Sequence, residues 1–150
     1  MRLSPAAGTT PRPCTIADAL DVLGERWALL VVRELFWGNH RFADIARHTG
    51  APRDVLSARL RSLVEAGVIE KRRYSDRPPR DGYHLTQAGR DLAPVLASLT
   101  QWSRKHLPTT ERRPNVPHHD HEIDPVVEVR CRTCGERVAC QGGRAEPDPD

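Results

Sequence analysis

Apolar side chains recur at helical spacing through the first two fifths of the chain, and the spacing then shortens to that of a strand. Ile16, Leu20 and Leu23 share one face of a first helix, with Thr15 as its N-cap, Asp18 three residues on in a near capping box and Gly24 at its end. A second helix is predicted over Glu25 to Phe36, carrying Trp27, Leu30, Val31 and Leu35 at helical spacing, with Gly38 beyond it. From Arg41, the run RFADIARHTG reads as a brief third helix that turns Phe42, Ile45 and Ala46 inward and stops at Gly50. Ala51 and Pro52 supply a turn, proline being welcome at the first position of the next helix, Pro52 to Ala66.

In that fourth helix Leu56, Leu60 and Leu63 occupy a narrow arc. At about 100° per residue, Ser57, Ala58, Arg61 and Glu65 lie roughly 100° to 180° away from Leu56 and face solvent. After Gly67, the run Val68 to Tyr74 reads as a strand, SDRPPRDG as a turn, and Tyr83 to Leu85 as a returning strand. A long helix capped by Thr86 follows, with Leu92, Val95, Leu96, Leu99 and Trp102 on one side and Leu107 near its end. Pro94 within it predicts a kink or a late start.

A short helix, a glycine-containing turn, a longer helix and a hairpin spell a winged helix-turn-helix. The expected fold class is therefore α+β and mainly helical, with flanking dimerisation helices and a small C-terminal extension. The organisation read from the sequence is an arm over 1–13, a winged-helix domain over 14–107, a linker over 108–117, a Cys/His extension over 118–140 and a polar tail over 141–150. In the extension Val126, Val127 and Val129 with Val138 form a candidate hairpin around Cys131 and Cys134.

Charge sharpens this picture. Between Pro52 and Arg80 eight basic side chains meet four acidic ones, a local excess of positive charge in a 150-residue chain whose net charge is only +3. Such concentration is the electrostatic footprint expected of a polyanion-binding face. The candidate contacts to double-stranded DNA are Arg41, Arg53, Asp54, Ser57, Ala58 and Arg61 in the helix-turn-helix, and Arg72, Arg73, Arg77 and Arg80 in the wing. Arg53 and Arg61 suit bidentate pairing with guanine, and the wing arginines suit phosphate. Asp54 has a second reading as a first-turn acid that complements the helix dipole, and Arg59 a second reading as a tie between helices.

The longest apolar stretch, Trp27 to Val32, is far short of a membrane span, and the first residues lack the apolar core of a secretory signal. A cytoplasmic location is expected, and four cysteines there read as thiols or metal ligands rather than disulfides. Cys14 falls at a helix amino terminus, whose partial positive charge favours the reactive thiolate, so it is the candidate redox sensor. Cys131 and Cys134 with His119 and His121, or with one of these histidines and Cys140, make a candidate tetrahedral zinc set, while a redox dithiol remains open. Nothing resembling a nucleophile elbow, a phosphate loop or an H-E-x-x-H helix accompanies the histidines, so an enzyme is not expected. A zinc-knuckle module for protein or RNA is the alternative function.

The run of Cys14, Ala19-Leu20, Gly24-Glu25-Arg26-Trp27, Arg33-Glu34-Leu35, Arg41-Phe42, Leu56-Ser57-Ala58-Arg59-Leu60, Leu63, Gly67, Pro78-Pro79-Arg80, Tyr83, Leu85-Thr86 and Gly89 resembles the HxlR family of bacterial regulators, relatives of the MarR type. The resemblance covers about Cys14 to Leu107. It implies a homodimeric winged helix-turn-helix, joined through its first helix and the Thr86 to Leu107 helix, that binds a palindromic operator; a repressor is the expected function, with activation left open. It also implies that a cysteine before the first helix, here Cys14, responds to electrophiles or oxidants. No cofactor is required by it, and zinc in the extension lies outside it.

Overall fold

The structure of the protein, a computed structural model, describes residues 13–108, 117–118, 121–122 and 126–138, with 117–118 and 121–122 described by backbone alone. Two compact units meet at the Ala93–Pro94 bond. The first holds α1 (Thr15–Leu23), α2 (Arg26–Phe36), α3 (Phe42–Thr49), α4 (Arg53–Glu65), β1 (Ile69–Asp76), β2 (Pro79–Leu85) and the single turn α5 (Gln87–Arg90). The second holds most of α6 (Ala93–His106) and the two-residue strands β3 (Pro117–His118) and β4 (His121–Glu122). No helix among the described residues is long and apolar enough to cross a membrane.

The core of the first unit is built from Val31, Val32 and Leu35 of α2, Ile45 of α3, Leu56, Leu60 and Leu63 of α4, and Ile69 of β1, all buried. Truncating one of these leucines to alanine removes about 2–5 kcal/mol. On α2 the buried stripe is Ala28, Val31, Val32 and Leu35, whereas Trp27 and Leu30, which the spacing also suggested, are only half-buried. Ala28 and Val32 complete the i, i+3, i+4, i+7 pattern and shift the inward face by part of a turn.

Four helix starts differ from expectation by one residue, α2 and α3 beginning at Arg26 and Phe42 with Glu25 and Arg41 as their N-caps. Cys14, with extended backbone, is the N-cap of α1, because its carbonyl accepts from the Asp18 N–H at 3.2 Å; Thr15 is then already helical and its hydroxyl caps nothing. Pro52 is likewise the N-cap of α4 rather than its first residue. Between α3 and α4 the chain turns on Gly50, whose φ of 74° is the left-handed conformation that a side chain disfavours. Thr49 stiffens the same turn, donating to the Ile45 carbonyl at 2.7 Å and accepting from the Ala51 N–H at 3.2 Å.

The wing is longer than the sequence suggests. β1 and β2 pair antiparallel from Ile69↔Leu85 to Asp76↔Pro79, slipping register between Arg73 and Ser75, so that most of SDRPPRDG is strand and only Arg77 and Pro78 lie outside. Proline is tolerated because each strand of a two-stranded ribbon has an open edge, where a missing N–H breaks no ladder bond. The Arg77–Pro78 bond is cis.

Thr86 caps α5, accepting from the Gly89 N–H at 3.2 Å, but this helix ends at Arg90. The single long helix expected after Thr86 is therefore two, and Pro94 falls in the first turn of α6, where its missing N–H has no helical partner to lose. Gly89 fits where no other residue does: a Cβ there would stand 2.3 Å from the Val68 carbonyl oxygen. Neither α1 nor α6 buries any residue, and Ile16 and Leu20 of α1 and Val95, Leu99 and Trp102 of α6 are exposed.

In the second unit the chain folds back around the Cys131–Cys134 turn. Arg130 bridges Arg137 in antiparallel fashion, and the Val138 N–H donates to the Val129 carbonyl at 2.8 Å. Val129 and Val138 thus close the expected hairpin, whereas Val126 is exposed and the Val127 N–H reaches the Gln101 side chain of α6 at 3.4 Å.

Candidate nucleic-acid interface

Because Leu56, Leu60 and Leu63 fix the inward face of α4, Arg53, Asp54, Ser57, Ala58 and Arg61 are all left exposed on its other sides. The turn at Gly50 presents the amino-terminal end of α4, where base-reading residues of such helices stand. Arg53 lies over the Phe42 ring at 5.0 Å, which orients a guanidinium that would otherwise sample many rotamers. Arg41, the N-cap of α3, lies over Tyr74 of the wing at 5.2 Å. Arg61 edges a depression of about 410 Å³ between α4 and the base of the wing, shared with Ser57, Leu60, Val64, Lys71 and Tyr83. Asp54 sits in the first turn of α4, where its charge complements the helix dipole.

The wing cations divide by their partners. Lys71 and Arg73 each stand 3.5 Å from the Asp81 carboxylate, and Arg72 donates through Nε to Glu70 at 2.8 Å. Arg73 and Asp81 face each other because the register sets them opposite. Arg77 and Arg80, at the tip, are exposed and have no ion pair among the described residues. Arg59 behaves as the tie between helices: its side chain is 17% exposed and reaches Glu25 at 3.6 Å.

Two polar clusters that sequence reasoning missed hold this surface in place. Glu34 of α2 is fully buried, with its carboxylate accepting from Arg33 at 2.6 Å and Asn39 at 2.7 Å and standing 3.2 Å from His48 Nδ1. At the base of the wing, the Tyr83 N–H donates to the His40 carbonyl at 2.8 Å while His40 Nδ1 lies 2.8 Å from the Tyr83 carbonyl. The His40 and His84 rings stack at 4.2 Å. Burial, then the neighbouring His40 and Arg72, hold the His84 pKa below its usual 6.5, against a smaller opposite pull from Glu70.

Cys14 is exposed at the start of α1. Cys131 is half-buried and Cys134 exposed, both as free thiols. The peptide N–H of Cys134, then that of Thr133, and the Cys134 thiol hydrogen-bond to the Cys131 sulfur and lower its pKa from 9.0 to about 7. His119 and the side chain of His121 lie outside the described residues, as does Cys140.

A short helix, a turn closed by a left-handed glycine, a longer helix with exposed arginines and a basic two-stranded wing define a winged helix-turn-helix protein of the transcription-regulator class. The model of the HxlR-like helix-turn-helix family matches residues 22–111, and the chain belongs to that family. It is 42% identical over 138 residues to the HTH-type transcriptional regulator Rv3095 of Mycobacterium tuberculosis, a match covering 90% of this chain and 86% of that one. The crystal structure of the transcription-factor candidate PA1607 superposes with a TM-score of 0.75 at 31% identity, covering 91% of this chain and 96% of that one. The oxidised form of the redox regulator HypR superposes with a TM-score of 0.59 at 27% identity, over 64% of this chain and all of that one (100%). The match to Rv3095 thus continues well past residue 111, where the family model ends.

Proposed function

We propose that this transcriptional regulator is a homodimeric repressor that reads a palindromic operator with α4 and clamps the flanking backbone with its wing. The observation that carries the reading is the pairing of an α4 face bearing Arg53 and Arg61 with a wing tip whose Arg77 and Arg80 have no acidic partner among the described residues. Exposed apolar faces on α1 and on α6 supply the surface through which two copies associate, since neither helix buries a residue in the single chain. Two copies related by a two-fold axis meet two half-sites about one helical turn apart, which makes the operator an inverted repeat.

Cys14 is the sensor in this reading. It is exposed at the head of α1, so modification of its sulfur alters the dimer surface and the spacing of the two recognition helices. HypR, which is named a redox regulator, is consistent with that role.

The test is fluorescence anisotropy with duplex DNA from upstream of the protein's own gene. Two chains per inverted repeat are expected, with release on treatment with diamide or a quinone and no release for Cys14→Ser. Equal binding of single-stranded competitor would favour an RNA-binding module instead, and a parent protein that ignores both reagents would remove Cys14 from the mechanism.

A further inference from the structure

The turn Cys131-Arg132-Thr133-Cys134-Gly135 lies beyond residue 111, where the match to the family model ends, yet it is closed by specific bonds. The Gly135 N–H donates to the Cys131 carbonyl at 2.8 Å, and the Cys131 N–H donates to the Glu136 carbonyl at 2.8 Å. Gly135 has a φ of 74°, which lets the chain double back immediately after the second cysteine. The Cys134 thiol is thereby held within hydrogen-bond reach of the Cys131 sulfur, which also accepts from the N–H groups of Cys134 and Thr133.

Each sulfur therefore has the other as its neighbour, and among the described residues no third cysteine, histidine or acid joins them in a cluster. Both can be reached from solvent, Cys134 being exposed and Cys131 half-buried. The hairpin lays no packed layer over them: Val126 is 75% exposed, Val129 52% and Val138 43%. Hydrogen bonds donated to the Cys131 sulfur favour its thiolate, the nucleophilic form. Arg130, Arg132 and Arg137 are exposed around the turn and act in the same sense, although Glu128 pairs with the first and last of them. A segment this small with so little buried surface also gains from a covalent staple.

We propose that Cys131 and Cys134 form a redox dithiol that exchanges with low-molecular-weight disulfides and closes to a disulfide within the turn. The Cys131 thiolate attacks one sulfur of the small disulfide; a mixed disulfide forms on Cys131 and the other half leaves as a thiolate. Cys134, giving up its proton, then attacks the Cys131 sulfur, forming the Cys131–Cys134 bond and expelling the second half. The two protein thiols lose two electrons and two protons, and the small disulfide gains both and departs as two thiols. This chemistry is distinct from modification of Cys14, because it joins two sulfurs of one turn and leaves no group attached.

The test uses the full-length chain carrying Cys14→Ser and Cys140→Ser, so that no other thiol competes, reduced and then exposed to oxidised glutathione. Intact mass is expected to fall by two hydrogens with no glutathione retained. Trypsin cuts after Arg130, Arg132 and Arg137, so the disulfide is expected to appear as fragment 131–132 joined to fragment 133–137. Adding Cys134→Ser should stop the reaction at one glutathione on Cys131. Adding Cys131→Ser should abolish the disulfide and slow the first step by at least about tenfold. Far-ultraviolet circular dichroism should be the same in all variants. A chain that gathers two glutathiones without losing two hydrogens, or that does not react, would overturn the proposal. So would protein purified without chelator whose two thiols react only after a bound zinc is stripped away. Equal first-step rates for Cys131→Ser and Cys134→Ser would overturn the assignment of Cys131 as the attacking sulfur.

Discussion

Glu34 of α2 and His48 of α3 stand 3.2 Å apart across the back of the helix-turn-helix, around a carboxylate that solvent does not reach. Arg33 and Asn39 complete the set, so one acid ties α2, the loop after it and α3. Glu34→Ala is expected to destabilise the protein by about 1–3 kcal/mol, because donors arranged around a buried acceptor lose it. Urea denaturation of Glu34→Ala beside Glu34→Gln measures this; the amide keeps an acceptor oxygen and should lose less.

The wing arginines differ in what surrounds them, and their substitutions should differ in consequence. Arg77→Ala and Arg80→Ala should each weaken binding to all duplex sequences alike and reduce the slope of log affinity against log salt by about one unit. Arg53→Ala should instead relax base choice. A salt titration that gives parental slopes for both tip variants would remove the tip from the interface.

His84 makes stability depend on pH. Its pKa is lowered in the fold, chiefly by burial and then by His40 and Arg72, with Glu70 opposing. Above its usual 6.5 the ring is neutral in both folded and unfolded chains and costs the fold nothing; as pH falls below that value toward the lower folded pKa, the unfolded chain takes the proton more readily and stability is lost. The melting temperature is expected to drop between about pH 7 and pH 5, and His84→Gln to make that drop shallower than in the parent.

Gly89→Ala forces a Cβ against the Val68 carbonyl oxygen, at 2.3 Å if nothing moves. Because the obstacle is backbone, the expected cost is about 1–3 kcal/mol, read as a lower denaturation midpoint with an unchanged denaturant slope.

On α6, Leu99 is 47% and Trp102 55% exposed. Leu99→Asp and Trp102→Asp should shift the protein toward monomer in sedimentation velocity and leave its circular dichroism unchanged, since neither side chain supports the core of the single chain. A parent that sediments as a monomer at working concentration would refute the dimer.

The inward face of α4 was legible because Leu56, Leu60 and Leu63 keep one period and each is buried where that period puts it. Glu34 was not legible: a glutamate inside a helix reads as solvent-facing, and its burial depends on Asn39 and His48, partners that only tertiary packing assembles. SDRPPRDG read as a turn because prolines usually end strands, yet a ribbon with open edges accommodates them. The wing arginines were visible as charge, but the neutralisation of Arg73 by Asp81 depends on strand register, which composition does not contain.

Pro78 and Pro79 stand side by side at the end of the ribbon, and β2 begins at the second of them. Each pyrrolidine ring fixes one backbone torsion before any ligand arrives. The tip therefore has few conformations to surrender on docking, and the entropy lost there falls mainly on the side chains of Arg77 and Arg80. A flexible glycine-rich tip with the same two cations would have the same charge and hold phosphate less tightly.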